Sequence, residues 1–299
     1  MPAQAGSAPS GMLAQRASIS AWFARRCSRG AWLLLPPLLL LVLLFVLPLV
    51  MILGQSFSAD AGLFSAYHQV LTDGMSLPSL GYTLRVAAGV TVLTLLLSYP
   101  VAFLIARTRG RWQMVMMGMV LVPFWTSAVI RSYSWLILLQ RRGVVNEVLT
   151  GLGMIERPLR LTNTEFGLHL AMVQVMLPFM ALPLINTMRG IDPGLLRAAA
   201  ILGAQPGRQF LSVYLPLTMP GVLAGSALVF ISTLGFYITP ALLGSSGVMS
   251  AVLIEQQVSR LLDWPLASAL ATLMLVATGG VFLAVDLIRR VATGRGRGR

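Results

Sequence analysis

The sequence contains no lysine, because all 22 of its basic residues are arginine. A P-loop needs a lysine that reaches the nucleotide phosphates, and Schiff-base chemistry needs a lysine amine, so both are excluded. Cys27 is the single cysteine, which excludes an intrachain disulfide and a cysteine metal cluster. The two histidines, His68 and His169, lie far apart, which excludes an HExxH zinc site. We therefore expect no cofactor and no catalytic centre in this chain.

Charge of either sign is also scarce. Charged residues make up 10% of the 299 residues, hydrophobic residues make up 57%, and the mean hydropathy is +0.81. A soluble domain has about 25% charged residues. The composition therefore predicts an all-α integral membrane protein whose partner is the bilayer. A net charge of +13 would suggest nucleic acid as the partner of a soluble protein, but the placement of the arginines beside the apolar runs argues against that.

Long apolar runs are what the sequence has in place of charge. A run of about 20 residues crosses a hydrocarbon core of about 30 Å as a helix. Six runs predict six spans: Trp32–Leu53, Val86–Ala106, Gln113–Ile130, Phe166–Met188, Val222–Leu243 and Leu266–Val285. We expect residues 31–290 to form one membrane domain between a cytoplasmic N-terminal tail, residues 1–30, and an Arg-rich cytoplasmic C-terminal tail, residues 291–299.

The arginines are distributed unequally between the two sides of these spans. With the N-terminus inside, 15 arginines fall on the cytoplasmic side and six on the external side, while Arg85 lies at the outer end of the second span. The positive-inside rule therefore predicts that both termini are cytoplasmic. It also places the loop between the fourth and fifth spans in the cytoplasm.

That loop carries helix start and stop signals. Asp192 and Pro193 are typical of a helix N-terminus, and Gly203 is placed to end the helix at about Leu202. Gln205-Pro206 predicts a second short helix, which Pro216 is expected to stop. Three successive alanines from Ala198 leave one patch of the first helix almost without side chains, which would allow another protein to approach its backbone.

The loop, residues 189–216, resembles the conserved cytoplasmic loop of ABC importer permeases. The family pattern is Glu-Ala-Ala, three residues, Gly, nine residues, Ile, one residue, Leu-Pro. The matching positions are Ala198, Ala199, Gly203, Val213 in place of Ile, Leu215 and Pro216, and Arg197 stands where the family has Glu. PFWTS at 123–127, IRSYSW at 130–135, LPLTMPGVLAGS at 215–226 and TLGFYITPALLG at 233–244 are similar to the spermidine/putrescine branch of this family.

The resemblance implies a type I importer permease fold, in the bacterial inner membrane, whose loop is the coupling helix that contacts an ATPase. Implied partners are two ATPase subunits, a second permease subunit and a periplasmic binding protein. An ordinary helical hairpin between two spans is the alternative interpretation of the loop. A secondary transporter or membrane scaffold without an ATPase is the alternative for the whole chain, although ion-coupled carriers need buried ionisable residues and the six runs lack carboxylates.

Candidate substrate-pathway residues are polar or aromatic side chains inside the runs, since polar groups that face lipid are costly. They are Trp125, Ser127, Gln174, Ser232 and Tyr237. Helix packing is the alternative role for each. Polyamines are the substrates that the resemblance implies, and aromatic faces can bind such cations. Phe236 stands where related transporters often have an acid, so an iron chelate, an oxyanion or an opine-like compound stays open as the substrate.

Overall fold

A computed structural model of the chain describes residues 36–57, 62, 64–244 and 247–294. The expected N-terminal tail, residues 1–30, and residues 295–299 lie outside this part of the chain. The described chain divides at Gln55 into two units. The first unit contains helix α1, Pro36–Gln55, a 20-residue apolar segment with a mean hydropathy of 2.9 that is long enough to cross a membrane.

The second unit is built from helices throughout the described residues. Within a bilayer a helix satisfies its own backbone hydrogen bonds, which is why long apolar runs fold this way. In chain order the helices are α2 Ser65–Thr72, α3 Ser76–Arg107, α4 Arg111–Leu121, α5 Ala128–Leu138, α6 Val144–Gly151, α7 Glu165–Arg189, α8 Pro193–Ile201, α9 Pro206–Leu234, α10 Ile238–Leu243, α11 Ser250–Gln256 and α12 Trp264–Gly294.

Five described helices are long and apolar enough to span a membrane, or six if α4 and α5 together form one span. The expected second, fourth and sixth spans are confirmed as α3, α7 and α12, each of which is longer than its apolar run. The extra length consists of polar ends, such as Glu165 and Arg189 of α7. Helix α12 continues to Gly294, into the segment that was expected to be a tail.

The expected third span, Gln113–Ile130, is not one continuous helix. Helix α4 ends in a 3₁₀ turn, Val122–Trp125, and α5 leaves that turn at an angle of 97° to the first segment. Pro123 lies inside the turn, and the backbones of Thr126 and Ser127 are extended. Proline lacks the N–H that a continuing helix would need and its ring clashes with the preceding turn, so a composition that favours one span is interrupted by a bend.

The bounds predicted for the fifth span, Val222–Leu243, were wrong, because the long apolar helix is Pro206–Leu234. Helix α9 ends at Leu234, with Gly235 as its C-cap, and α10 starts separately at Ile238.

The prediction that Pro216 stops the second short helix of the loop was wrong, because the helix continues through it. A π-helical turn, Phe210–Tyr214, pairs the N–H of Leu215 with the carbonyl of Phe210, and Pro216 follows in the first turn after it.

The core of the second unit lies between α3, α7 and α9. Helix α7 is its centre, because four of its side chains are at most 1% exposed: Met172, Met176, Met180 and Leu184. A separate polar contact holds the loop before α11 against α3. Ser79 Oγ donates to the carbonyl of Val248 at 2.8 Å, and the N–H of Ser250 donates to Thr83 Oγ1 at 2.8 Å. Buried polar groups that are paired in this way fix the position of α11.

Candidate functional site

The expected loop helix is present as α8, and its first turn is capped by a side chain. Asp192 Oδ1 accepts a hydrogen bond from the backbone N–H of Gly194 at 2.8 Å, and Pro193 occupies the first turn. This arrangement satisfies a donor that the helix start would otherwise leave free. The sequence signals for the beginning of α8 are therefore confirmed.

Gly203 ends α8 in a left-handed conformation, with a φ of +82°. The N–H of Gly203 donates to Ala200 O at 2.9 Å, and the N–H of Ala204 donates to Ala199 O at 3.0 Å. These two bonds define a Schellman motif, in which glycine is favoured because it has no Cβ. A Cβ built on Gly203 would meet no atom within 4 Å, so backbone conformation, and not space, requires glycine here.

The turn after α8 presents an apolar tip. Ile201 and Leu202 are each 86% exposed. Arg197 and Ala198 are also exposed, whereas Ala199 is half-buried. Large apolar side chains with this exposure at the end of a loop are typical of a surface that another protein covers. The small residues Ala198 and Ala200 beside this tip leave the helix backbone accessible.

The residues matched at the end of the loop pattern lie in a different environment. Val213 and Leu215 are half-buried at the start of the long helix α9, and Pro216 is exposed. Gln209 Nε2 donates to Ala204 O at 2.7 Å, which ties the second short helical segment back to the turn. The matched positions therefore divide into an exposed group on α8 and a group packed against the bundle.

The expected pathway residues lie at breaks between helices or beside them. Ser127 is the N-cap of α5 and Tyr237 is the N-cap of α10, and these helices pack against each other through Ser132 Oγ and Thr239 Oγ1, which are 2.8 Å apart. Tyr237 is 45% exposed and Trp125, at the end of the 3₁₀ turn, is 86% exposed.

Gln174 and Ser232 occupy helix interiors. Gln174 lies on α7, and its Oε1 accepts from Trp135 Nε1 of α5 at 3.4 Å, which joins the bent segment to the central helix. Ser232 is half-buried in the last turn of α9. The structure therefore brings Ser127, Gln174 and Tyr237 to helices that contact one another through α5.

No family model matched the sequence. The spermidine/putrescine transport system permease protein PotB of Escherichia coli K12 is 33% identical over 251 residues, which cover 81% of this chain and 91% of PotB. The chain belongs to the permease family of ABC importers. It is also 34% identical over 211 residues to the inner membrane ABC transporter permease protein YdcU of Escherichia coli K12, covering 65% of this chain and 67% of YdcU.

Other relatives of the permease differ in their named cargo. The molybdenum transport system permease protein ModB of Mycobacterium bovis is 31% identical over 226 residues, which cover 75% of this permease and 84% of ModB. A solved bacterial ABC transporter of alginate has the same fold, with a TM-score of 0.69 at 17% identity over 90% of this chain and 98% of that chain. The structure of the alginate transporter in complex with an alginate-bound periplasmic protein has a TM-score of 0.73 at 18% identity, over 90% of this chain and 97% of that chain.

An aromatic cluster that connects the loop of the permease to α3 was not anticipated from the sequence. Tyr99 and Phe103 of α3 contact Phe210 and Tyr214 of α9, with centroids 6.1 Å apart for Tyr99 and Phe210 and 5.3 Å apart for Phe103 and Tyr214. Tyr99 Oη lies 3.1 Å from Thr218 Oγ1. On each helix the two rings are four residues apart, which places them on one helix face. That spacing was the signal available in the sequence.

Two glycines bring α9 against α7 in the permease. A Cβ on Gly221 would lie 2.6 Å from Thr187 Oγ1, and one on Gly225 would lie 2.8 Å from Met180 Sδ. The four-residue spacing is the GxxxG pattern of close helix contacts in bilayers. This signal was present in the LPLTMPGVLAGS segment, but the structure is what shows that α7 is the helix in contact.

Two further groups near the breaks are buried without a hydrogen-bond partner in the described part of the permease. They are Nε and Nη1 of Arg131 on α5, and Oγ1 of Thr233 on α9. Buried polar atoms are nearly always paired in proteins, so such atoms are candidates for contact with a ligand or another subunit. The sequence motif IRSYSW contains Arg131, but a charge pattern alone does not show that its nitrogens are buried.

Proposed function

We propose that this permease imports a polyamine across the bacterial inner membrane, and that α8 receives the movement of an ATPase on the cytoplasmic side. The observation that carries the proposal is the exposed tip of Ile201 and Leu202 on a helix whose two ends are fixed by Asp192 and Gly203. The permease itself carries out no covalent chemistry. It depends on two ATPase subunits, a second permease subunit and a periplasmic binding protein.

The contacts of α9 explain how a push on α8 would reach the spanning helices. The turn after α8 leads into Phe210 and Tyr214, which pack on α3. Farther along α9, Gly221 and Gly225 contact α7 closely. When ATP binding draws the ATPase subunits together, α8 would follow and tilt α3, α7 and α9. ATP would then shift the population from an inward-open to an outward-open state.

The polyamine assignment is supported by the PotB relatives, whose names give spermidine and putrescine as their cargo. Trp125 and Tyr237 are exposed aromatic rings next to the two helix breaks, and aromatic faces attract cationic amines. Uptake of radiolabelled spermidine and putrescine by cells that express the complete transporter tests the assignment. Uptake of labelled spermidine that unlabelled putrescine competes away is the expected result.

An oxyanion is the second candidate cargo. Arg131 provides two buried nitrogens without a partner, and the six apolar runs contain no carboxylate. The named cargo of the relative ModB, molybdenum, gives this candidate a precedent within the family. The same cells assayed with molybdate distinguish the two, because uptake of molybdate without uptake of spermidine would replace the polyamine assignment.

The ATPase contact is tested by placing charge on the tip. We expect the double variant Ile201→Asp and Leu202→Asp to insert normally but to lose the ATPase during affinity purification of the permease, because two desolvated carboxylates oppose burial of the tip. The matched control is Leu261→Asp with Leu262→Asp, an adjacent exposed pair at the end of the π-helical turn, Gln257–Leu261, that follows α11. The control should retain the ATPase.

Retention of the ATPase by both double variants would contradict the role of α8. Purification of the wild-type permease without any ATPase would instead favour the alternative class, a secondary transporter or scaffold. Membrane content measured by immunoblot separates both results from failure of insertion.

A further inference from the structure

A cavity of about 620 Å³ lies where four helices of the second unit begin or end. Its walls come from the last residues of α3, the first turn of α4, the last turn of α7 and the first turns of α8. Three arginines line it: Arg107, Arg109 and Arg189. The cavity therefore lies directly against the helix to which we assign the ATPase contact.

The charge of this cavity is not neutralised by nearby acids. None of the residues that line it is an Asp or a Glu. Asp192 lies between two lining residues in the sequence, where its Oδ1 caps the backbone of Gly194, and among the described residues it forms no ion pair with these arginines. The ion pair found among the described residues joins Arg85 of α3 to Glu165 of α7, and neither residue lines this cavity. Three guanidinium groups thus share one cavity without a carboxylate.

Two of these arginines are held in place by neighbours that leave their charge available. The guanidinium carbon of Arg107 lies 4.1 Å from the ring centroid of Phe103 and 5.7 Å from that of Tyr214. With its amide oxygen turned towards α7, Gln113 accepts from Arg189 Nε at 3.2 Å. Contacts with an aromatic face or an amide oxygen orient a guanidinium group but do not cancel its charge.

We propose that this cavity binds the phosphate-bearing headgroup of an anionic phospholipid. Guanidinium groups match phosphate oxygens in geometry and charge, and basic pockets between helices at the cytoplasmic surface suit acidic lipid headgroups. The apolar lining residues Met188, Ile191 and Leu196 suit the glycerol and upper acyl carbons of a lipid. The volume of about 620 Å³ also exceeds what a bare phosphate ion fills, given about 30 Å³ for one water.

This inference rests on the proposed orientation, which places the cavity at the inner membrane surface. A bound headgroup would join the ends of α3 and α7 to the start of α8, because Pro193 and Leu196 line the same space. The lipid would then act as a regulator that stiffens the connection between the loop and the spanning helices. Loss of the lipid is expected to weaken coupling without removing the ATPase contact itself.

The test is native mass spectrometry of the purified full-length permease titrated with dioleoyl phosphatidylglycerol, with dioleoyl phosphatidylcholine as the comparison lipid. We expect preferential binding of phosphatidylglycerol to the wild type. The triple variant Arg107→Gln, Arg109→Gln, Arg189→Gln should bind it roughly 100-fold more weakly, since each arginine near a membrane surface contributes about a fivefold effect. The matched control is Arg141→Gln, Arg142→Gln, Arg157→Gln, three arginines outside this cavity, which should retain wild-type affinity.

The single variant Arg109→Gln covers the case in which the triple variant does not fold, because Arg109 is exposed outside any helix. It should weaken phosphatidylglycerol binding by about fivefold. Equal binding by the wild type and Arg109→Gln, or equal losses in the triple variant and its matched control, would overturn the proposal.

Competition with inorganic phosphate distinguishes binding of a lipid headgroup from binding of a free phosphate ion. Displacement of phosphatidylglycerol by excess inorganic phosphate at the concentration that displaces it from a nonspecific cationic surface would overturn the lipid assignment in favour of a free anion. Loss of phosphatidylglycerol on assembly with the ATPase would overturn it in favour of a protein carboxylate. None of these measurements requires transport, so they stay interpretable if the proposed import function fails.

Discussion

Gly203 shows how one backbone conformation can matter where no side chain is crowded. Its φ of +82° ends α8 in a Schellman motif, and a Cβ there would meet nothing within 4 Å. A residue with a Cβ in this conformation costs about 1–2 kcal/mol, and asparagine tolerates it better than a β-branched residue. We therefore expect Gly203→Val to bind the ATPase about tenfold more weakly in a pull-down, and Gly203→Asn to remain close to the wild type.

Gly207 provides the control for that comparison. It is also in the loop and has open space around it, but its φ is not in the positive range. Gly207→Val should therefore bind the ATPase as the wild type does. Equal ATPase retention by Gly203→Val, Gly203→Asn and Gly207→Val would show that the left-handed turn is not needed for the contact.

Asp73 makes stability dependent on acid pH at the start of α3. Burial raises the pKa of this carboxyl, but hydrogen bonds from Ser76 Oγ and from the N–H groups of Ser76 and Met75 outweigh burial and leave the pKa below its ordinary value of 3.8. Because the pKa of the folded state is lowered, the stabilisation is present above pH 3.8 and is lost as the pH falls through the pKa of the folded state.

We expect Asp73→Ala to lower the stability of the purified permease by about 1 kcal/mol at pH 6, as the loss of a helix-capping acceptor does. The difference from the wild type should begin to shrink as the pH is lowered below 3.8, and it should vanish once the pH is below the lowered pKa of the folded state, where the carboxyl is protonated. Thermal unfolding followed by circular dichroism at both pH values measures this. A difference that is the same at pH 6 and pH 3 would show that the charged carboxylate is not the stabilising group.

At the scale of helices, the contact between α7 and α9 depends on two positions without side chains. A Cβ on Gly225 would lie 2.8 Å from Met180 Sδ and 3.1 Å from Met180 O. We expect Gly225→Leu to destabilise the protein by about 1–3 kcal/mol, as overpacking does in cores. Gly279 in α12 has no atom within 4 Å of a built Cβ, so Gly279→Leu is the matched control. Equal melting temperatures for these two variants would contradict a close contact at Gly225.

Helix signals differ in how well the sequence alone reveals them. The caps of α8 were predictable because Asp192, Pro193 and Gly203 act through local backbone chemistry. Hydropathy does not locate the two breaks, between α4 and α5 and between α9 and α10, because apolar residues continue through both and a change of direction leaves hydropathy unchanged. Pro123 lies within the first break, but whether a proline bends a helix this far depends on what the next segment packs against.

The candidate site was predicted in the same uneven way. The matched loop positions follow from their spacing in the sequence. The exposed tip, Ile201 and Leu202, does not, because apolar residues occur throughout the chain and their type alone does not show that these two are exposed. Their 86% exposure is a property of the folded turn. The aromatic cluster and the glycine contacts required knowing that α9 packs on both α3 and α7. Those are long-range contacts that a local pattern does not specify.

For the whole molecule, the decisive property is which side of the membrane α8 faces. The arginine distribution predicts a cytoplasmic loop, and both the ATPase contact and the lipid cavity depend on it. Replacing Cys27 with Ser leaves a chain without cysteine. Single cysteines can then be placed at Ala198, which is exposed on α8, and at Thr150, which is exposed on α6.

A membrane-impermeant maleimide should label Thr150→Cys in intact spheroplasts and Ala198→Cys only after permeabilisation. The opposite pattern would place α8 outside, where there is no ATP, and would rule out a nucleotide-driven role for the loop. The exposure of both positions makes the comparison informative, because a failure to react then reports the barrier of the membrane and not burial within the protein. An exposed apolar tip outside the cell would instead favour contact with a periplasmic protein.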